Sequence, residues 1–246
     1  MPETSRAFDR ESEGYAARWD GSLIVPFWRA RVLSRVLART RPGGRIADLG
    51  LGTGSDARCL LAAGFGVAGI DASEGMVAAA RSHGVDARFG RVEEASARLG
   101  GGFDTALCNF GVLNCLTTVS ALSALARELA LLVRPGGTAV LVWMSRHCPA
   151  DTTARLLRLQ RPRRGRLSAQ VSGVRIPIAW WSARDVQRVL EHDFSVVSLE
   201  AVGLLDPPPD VGGRPGRRTA FEPWIAQLPG LRRLGDHTLM VLERRP

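Results

Sequence analysis

An acid followed by three glycines at alternate positions is the part of this chain with the clearest chemical meaning. The run Asp48-Leu49-Gly50-Leu51-Gly52-Thr53-Gly54 follows a short apolar segment, 45–47, and precedes a helical pattern over 55–63. Glycine has no Cβ, so a glycine-rich turn between a strand and a helix lets the backbone approach a ligand closely. A dinucleotide loop spaces its glycines as G-x-G-x-x-G to bind a pyrophosphate. An acid ahead of the glycines repels phosphate and favours an ammonium group instead.

A second acid ends the next apolar run. The segment Val67-Ala68-Gly69-Ile70-Asp71 predicts a strand, and 72–76 opens a helix. A carboxylate accepts hydrogen bonds at both oxygens, which is the geometry that the cis-diol of a ribose requires. Further along, 103–109 predicts another strand and 132–137 predicts a turn from a helix into a strand.

These four segments, in this order and spacing, resemble the motifs of class I S-adenosylmethionine methyltransferases over about residues 41–144. The resemblance implies that S-adenosyl-L-methionine is the cofactor and S-adenosyl-L-homocysteine the product. It implies that Asp48 pairs with the ammonium of the cofactor, directly or through water, and that Asp71 binds the ribose. The expected loop under the amino-acid tail consists of Gly50, Leu51, Gly52 and Gly54. Ala72 and Met76 are expected to pack on the adenine.

The remaining cofactor contacts are less regular. Relatives carry Gly-Asp after the third strand, and the acid accepts a hydrogen bond from the adenine amino group, but here Arg91 replaces the acid. The backbone of Val92 can still bind the adenine edge. Glu93 either supplies the missing acceptor or occupies the first turn of a helix, where acids are favoured.

Tyr15 resembles an N-terminal tyrosine that closes over the methionine end of the cofactor in relatives. Alternatively, it only packs its helix on the body of the protein. Asn109 and Phe110, which follow the fourth predicted strand, complete the expected cofactor contacts.

Methyl transfer from a sulfonium is an in-line displacement, to which a protein contributes alignment and exclusion of water. A base is needed only when the acceptor arrives protonated. The candidate catalytic residues are Asn109 and His147, which follow the fourth and fifth predicted strands. The run Asn-Phe-Gly-Val at 109–112 departs from the Asn-Pro-Pro-Tyr of methyltransferases that act on a flipped base.

The candidate substrate contacts are Trp19, Asn114, His147, Trp180 and Trp181. Each has a structural alternative. The two asparagines can cap turns, and His147 can be an ordinary loop residue. Trp180 and Trp181, with Phe110, Phe221 and Trp224, form either an aromatic pocket wall or ordinary packing. The other three histidines, His83, His192 and His237, are expected to be structural.

Composition limits the function classes. All 33 basic residues among the 246 are arginine, and the net charge is +9. Without lysine there is no phosphate-loop lysine, no Schiff-base lysine and no reductase Tyr-Lys pair. The dense cluster from Arg155 to Arg166 is either a solvated basic face or a docking surface for nucleic acid or an acidic substrate. The four cysteines show no C-x-x-C spacing, so no metal site is expected.

The pattern predicts an α/β fold: a Rossmann-like sheet of seven mostly parallel strands with helices on both faces and an antiparallel last strand. The chain is interpreted as a single domain, 1–246. Its expected parts are an N-terminal helical cap (1–41), a cofactor-binding core (42–145), a lid-like insertion with a hairpin (146–181) and the C-terminal part of the sheet (182–246). Within these parts the pattern predicts a helix over 92–99, a strand over 138–144, a short helix over 222–231, a helix break at 162–165 and a hairpin turn at 172–173.

The sequence is therefore interpreted as a methyltransferase acting on oxygen or nitrogen of a small organic molecule, with a secondary metabolite as one candidate. The alternative is an RNA or protein methyltransferase that docks through the Arg155–Arg166 region. A nicotinamide-dependent oxidoreductase is opposed by Asp48 and the glycine spacing. No run of about twenty apolar residues suggests a membrane span, and the first ten residues do not resemble a signal peptide. A cytoplasmic monomer or homodimer with a small-molecule substrate is expected.

Overall fold

The computed structural model describes residues 2–160 and 164–246. Its centre is a seven-stranded sheet, and two further strands form a separate hairpin. In chain order the strands are β1 (Arg45–Leu49), β2 (Gly66–Asp71), β3 (Asp86–Phe89), β4 (Phe103–Cys108), β5 (Val133–Met144), β6 (Ser168–Val171), β7 (Val174–Pro177), β8 (Phe194–Val202) and β9 (His237–Arg244).

Helices surround this sheet. They are α1 (Pro2–Asp20), α2 (Val25–Arg39), α3 (Ser55–Ala62), α4 (Glu74–Ser82), α5 (Ala95–Leu99), α6 (Val112–Cys115), α7 (Val119–Leu132), α8 (Pro149–Leu157), α9 (Ala183–Leu190) and α10 (Arg217–Ile225). No helix in the described parts of the chain is long and apolar enough to span a membrane.

The sheet has the order β3-β2-β1-β4-β5-β9-β8. Strands β1 to β5 pair in parallel, and β9 lies antiparallel between β5 and β8. This confirms the predicted fold class. The order reverses between β1 and β4, so the carboxyl ends of these strands border the crevice where ligands bind in such sheets.

Apolar residues on both faces of the sheet are buried, which is why its strands are almost continuously hydrophobic. One core includes Leu125 and Leu129 of α7 and Val186 of α9. The other includes Val32 of α2 and Val77 of α4. The helices thus form a layer on each side, and the crevice opens at the edge between them.

Several predicted boundaries were wrong. The helix expected over 92–99 is a 3₁₀ turn, 92–94, followed by α5. Strand β5 starts at Val133 rather than 138, because Val133 pairs with Phe103 before a register shift. The helix expected over 222–231 begins at Arg217, where the Gly216 N–H donates to the Thr219 hydroxyl.

The hairpin predicted around Ser172-Gly173 is present. Both turn residues have positive φ, 44° and 78°, as a tight two-residue turn between twisted strands requires. Its strands pack against α1, where Ile176 and Ile178 bury against Ala7. The helix break expected at 162–165 and part of the Arg155–Arg166 cluster fall on Arg161, Pro162 and Arg163, which lie outside the described residues.

Candidate cofactor and substrate site

One cavity of about 360 Å³ lies at the carboxyl edge of the sheet, within the range of roughly 300–1,000 Å³ that is usual for small-molecule sites. The glycine loop, the end of β2 and the turn after β4 form one side, and α1, α2 and the β6–β7 hairpin form the other. The predicted site residues that line it are Tyr15, Trp19, Gly50, Gly52, Asp71, Ala72, Met76, Val92, Glu93, Phe110 and Asn114.

The glycine loop has the backbone that its sequence suggests. Gly50, Gly52 and Gly54 have φ of 73°, 56° and 77°, a region that glycine adopts without the Cβ penalty. A Cβ added at Gly50 would lie 2.3 Å from Cγ2 of Val112. The ring of Tyr15 lies against Gly52 from the cavity side, 3.9 Å from where a Cβ would be. Gly54 and Leu51 support the loop and do not line the cavity.

Asp71 joins this loop to α4. One of its carboxylate oxygens accepts from the Gly52 N–H at 2.9 Å, and the other accepts from the Ser73 N–H at 2.9 Å. Burial raises the pKa of Asp71, and these hydrogen bonds oppose the rise. Each oxygen keeps a further lone pair, so the carboxylate can still accept from a diol in the cavity.

Asp48 lies behind the loop and does not itself line the cavity. Its side chain is buried, and Oδ2 has no hydrogen-bond partner. Burial raises the pKa of Asp48 well above its usual range, the carboxylates of Asp56 and Asp71 raise it further, and Arg29 opposes them. A buried polar atom without a partner costs about 1–3 kcal/mol. A cation in the neighbouring cavity would offset part of this cost.

Asn109 is occupied with holding the turn after β4. Its amide donates to Asp56 at 2.7 Å, and its oxygen accepts from the Phe110 N–H at 3.0 Å. Phe110 has φ of 39°, which is uncommon for a bulky residue. Asp56 also pairs with Arg29, with Nε 2.6 Å from Oδ1. The structure thus places Asn109 beneath the cavity; its cofactor and catalytic roles stay predictions.

Asn114 lines the cavity, but its amide is committed to the backbone. Its oxygen accepts from the Met144 N–H at 2.8 Å, and its nitrogen donates to the Ala179 carbonyl at 2.8 Å. The side chain ties α6 to the end of β5 and to the segment after the hairpin. Its substrate role stays a prediction.

His147, Trp180 and Trp181 lie outside the cavity. His147 is exposed just before α8. The Trp180 indole donates to the Arg166 carbonyl at 2.7 Å, and the Trp181 indole lies 2.9 Å from the carbonyls of Leu113 and Leu116. Phe221 and Trp224, expected as part of an aromatic wall, are 66% and 81% exposed.

Of the predicted aromatic wall only Phe110 lines the cavity, and the other aromatic side chains come from the N-terminal helices and from β9. Phe8 of α1 and Trp28 of α2 line the cavity, and so does His237 at the start of β9. The sequence reasoning missed Phe8 and Trp28 and assigned His237 to packing. The position of His237 at the start of the last strand could have indicated that it lies near the site, because an antiparallel strand inserted beside β5 must begin at the carboxyl edge of the sheet.

On the adenine side, Arg91 and Glu93 form an ion pair with each other. Both line the cavity, and Glu93 lies within the 3₁₀ turn 92–94. The pairing neutralises the arginine that replaces the usual acid. Glu93 lines the cavity and also lies in the first turn of the 3₁₀ segment. Its position is therefore compatible both with accepting from the adenine and with a role in the helical turn, and both alternatives remain predictions.

The N-terminal helix is fastened to the cofactor side by Asp9. Its Oδ1 accepts from the Ser73 hydroxyl at 2.6 Å and from the Gly75 N–H at 3.1 Å. A carboxylate at a helix N-terminus satisfies amide groups that have no partner within the helix. Asp9 therefore caps α4 from α1 and holds Tyr15 over the glycine loop.

Of the cysteines, Cys115 lines the cavity and Cys148 does not. Burial raises the pKa of Cys115 to about 12, with Asp71 adding to the rise. The thiol is therefore protonated at neutral pH and is a weak nucleophile there. Cys148 accepts from the Asp151 N–H at the start of α8.

Of the four described arginines of the Arg155–Arg166 cluster, Arg155 and Arg164 form internal ion pairs, whereas Arg158 and Arg166 are exposed. Arg155 pairs with Asp151 at 2.7 Å and with Asp210. Arg164 pairs with Asp151 at 3.1 Å and with Asp236. Both side chains are at least 90% buried, so they are not available to phosphates at the surface.

Comparisons with known proteins agree with the geometry of the site. Residues 46–137 match the family model described as a methyltransferase domain. The demethylmenaquinone methyltransferase of Beutenbergia cavernae is 36% identical over 121 residues, 48% of this chain and 47% of that protein. The ubiquinone biosynthesis O-methyltransferase of Xanthomonas campestris is 34% identical over 121 residues, 46% and 49% of the two chains. The chain thus covers about half the length of these curated relatives.

Two solved structures resemble the whole chain. The N-methyltransferase NodS of Bradyrhizobium japonicum, in complex with S-adenosyl-L-homocysteine, matches with a TM-score of 0.63 at 14% identity, covering 99% of each chain. The CcbJ methyltransferase of Streptomyces caelestis matches with a TM-score of 0.62 at 16% identity, covering 90% of each. At these identities the likeness concerns the fold.

Proposed function

We propose that this chain is a class I S-adenosylmethionine-dependent methyltransferase and that it transfers a methyl group to oxygen or nitrogen of a small organic molecule held in the same cavity as the cofactor. The observation that carries the proposal is the shape of that cavity. Its floor is the glycine loop with Asp71, and its opposite wall is apolar. One cavity therefore adjoins both the cofactor motif and a surface suited to an organic ring.

Electrostatics support a cationic cofactor. Asp48, Asp56 and Asp71 lie around the loop, and Arg29 is the cation that counters them. S-adenosyl-L-methionine supplies a methyl group on a positively charged sulfur together with an ammonium group. The proposed roles are that Asp48 stabilises the ammonium, Asp71 binds the ribose, and the apolar wall excludes water from the acceptor, which favours displacement.

The acceptor side supports a small, largely apolar molecule. Phe8, Val171, Ile176 and Ile178 cover the cavity from α1 and the hairpin. In the proposal, the lid-like insertion thus covers the acceptor. The names of the curated relatives, which refer to demethylmenaquinone and ubiquinone biosynthesis, agree with a small organic acceptor. The RNA or protein alternative loses support because Arg155 and Arg164 are buried in internal ion pairs.

The first test is calorimetric titration of the purified protein with S-adenosyl-L-methionine, with NADH as a control ligand. We expect affinity of about micromolar, near −8 kcal/mol, and no binding of NADH. Asp71→Ala should abolish binding, whereas Asp86→Ala, an exposed acid on the neighbouring strand, should leave it unchanged. Circular dichroism checks that both variants fold. Absence of binding to the wild-type protein would refute the proposal.

A methyl-transfer screen follows if the cofactor binds. Transfer of radiolabelled methyl groups to small hydroxyl or amine acceptors, with none to RNA or protein, is the expected result. Transfer to RNA or protein alone would favour the alternative.

A further inference from the structure

His237 is placed where a group acting on the acceptor should be. In the sheet it pairs with Met144, the last residue of β5, and with Val202 of β8. It therefore lies at the carboxyl edge, beside the turn after β4 that begins with Asn109 and Phe110. It lines the cavity and is 7% exposed. His147, the histidine predicted from sequence, is exposed outside the cavity.

Two aromatic rings fix the orientation of the imidazole. The Trp28 ring meets it at 5.7 Å and 64°, and the Phe110 ring at 5.0 Å and 72°. Both are edge-to-face contacts, which are favourable for aromatic pairs. Neither aromatic ring offers the imidazole a hydrogen-bond acceptor, so the polar contacts of the imidazole come from other residues.

Asp236 lies at one nitrogen of the ring. Its Oδ2 is 3.0 Å from Nδ1 of His237, at an angle too oblique for a hydrogen bond in this conformation. A small rotation of the ring would align the two atoms, and catalytic hydrogen bonds are often poorly aligned before a substrate binds. Nδ1 is buried, and we assign Nε2 to the cavity that the ring lines.

The carboxylate of Asp236 is itself firmly placed. Arg164 pairs with Oδ1, the Asp236 N–H donates to the Gly203 carbonyl at 2.9 Å, and the Asp236 carbonyl accepts from the Ser145 N–H at 2.9 Å. The carboxylate is 2% exposed. Such a carboxylate keeps a neighbouring imidazole in one tautomer and stabilises the imidazolium when it forms.

We propose that His237 is the general base of the reaction, that Asp236 is its positioning residue, and that the acceptor is a phenol-like hydroxyl on an apolar ring. The inference rests on the proposed function. In the step, the hydroxyl oxygen forms a bond to the methyl carbon as the carbon–sulfur bond breaks, with its electron pair remaining on sulfur. The hydroxyl proton passes to Nε2 of His237, and the imidazolium later releases it to water.

The choice of a hydroxyl follows from the base. A neutral amine attacks through its own lone pair without first losing a proton, and a thioether has no proton to lose, whereas a weakly acidic hydroxyl gains nucleophilicity as its proton leaves. The apolar wall accepts an aromatic ring. The charged groups on the elements around His237 include Asp236 itself, Arg164 paired with it, and Arg29 on α2, which Asp56 counters. The base is therefore flanked by paired charges.

The first test is nuclear magnetic resonance of the histidine side chains, which needs no acceptor. In the wild-type protein we expect neutral His237 to carry its proton on Nδ1, leaving Nε2 free, and Asp236→Asn to reverse the tautomer. The matched control is His192, whose Nδ1 also lies 3.0 Å from an aspartate, Asp193, but whose side chain is 91% exposed. It should show no single tautomer. An Nε2-protonated His237 in the wild-type protein would overturn the inference.

The second test is methyl transfer to 4-methoxyphenol, a weak acid, and to 4-nitrophenol, which is ionised far more readily. His237→Gln and Asp236→Asn should lower transfer to 4-methoxyphenol by about 10²–10⁴-fold and transfer to 4-nitrophenol much less. His192→Gln should change neither. Equal losses on both probes, or no transfer to either by the wild-type protein, would overturn the inference. These variants should still bind S-adenosyl-L-methionine. Loss of binding in the variants alone would overturn the inference, whereas absence of binding to the wild-type protein would refute the proposed function.

Discussion

The glycine loop provides a sharp test of the packing at the site, through Gly50→Ala. Gly50 has φ of 73°, and an added Cβ would lie 2.3 Å from Cγ2 of Val112, 3.3 Å from its Cγ1 and 3.4 Å from its Cβ. The left-handed backbone costs about 1–2 kcal/mol for a residue with a Cβ. Overpacking typically adds about 1–3 kcal/mol. Since valine is restricted in χ1, we expect a total loss of about 2–5 kcal/mol.

The matched control is Gly84→Ala. Gly84 has φ of 77°, but nothing lies within 4 Å of an added Cβ, so only the backbone cost of about 1–2 kcal/mol applies. The assay is urea denaturation followed by circular dichroism, in which the midpoint shifts at a constant slope. The difference between the two variants measures the collision with Val112.

A double variant separates collision from backbone strain. Val112→Ala removes both γ-carbons, so adding it to Gly50→Ala should recover about 1–3 kcal/mol relative to additive effects. Binding of S-adenosyl-L-methionine should weaken in Gly50→Ala, because Gly50 lines the cavity, and should recover in part in the double variant. Equal losses for Gly50→Ala and Gly84→Ala, or no rescue by Val112→Ala, would refute the reasoning.

Two further predictions concern the carboxylates. Burial raises the pKa of Asp48, so its contribution to the stability of the ligand-free protein is present below its ordinary pKa and is lost as pH rises through the raised value. A cationic ligand favours the ionised form of Asp48, so binding of S-adenosyl-L-methionine should release protons. The calorimetric heat of binding should therefore depend on the buffer in the wild-type protein and not in Asp48→Asn. Equal heats in all buffers would contradict this prediction. Asp9→Ala removes the cap that α1 provides to α4. It should lower the free energy of unfolding, measured by urea denaturation, by about 1–2 kcal/mol and weaken cofactor binding, whereas Glu13→Ala, at an exposed position, should do neither. An unchanged midpoint for Asp9→Ala would show that the contact is not stabilising.

The sequence by itself determined the elements that carry the cofactor motif. Strand β1, the glycine turn and α3 are adjacent in the chain, so their conformation follows from local rules: an apolar strand, glycines with positive φ and a helical pattern. The same holds for Asp71 at the end of β2. These rules also predicted a mostly parallel sheet with helices on both faces, because alternating strands and helices have few compatible topologies.

Only the tertiary structure decided which side chains face the acceptor. Met144 and His237 meet through a pairing across 93 positions of sequence, whereas His147, close to β5 in sequence, points elsewhere. Phe8 and Trp28 reach the cavity because α1 and α2 fold back over the sheet. Local pattern does not specify such encounters, since the register between distant strands and the docking of helices are set by burial summed over the whole core.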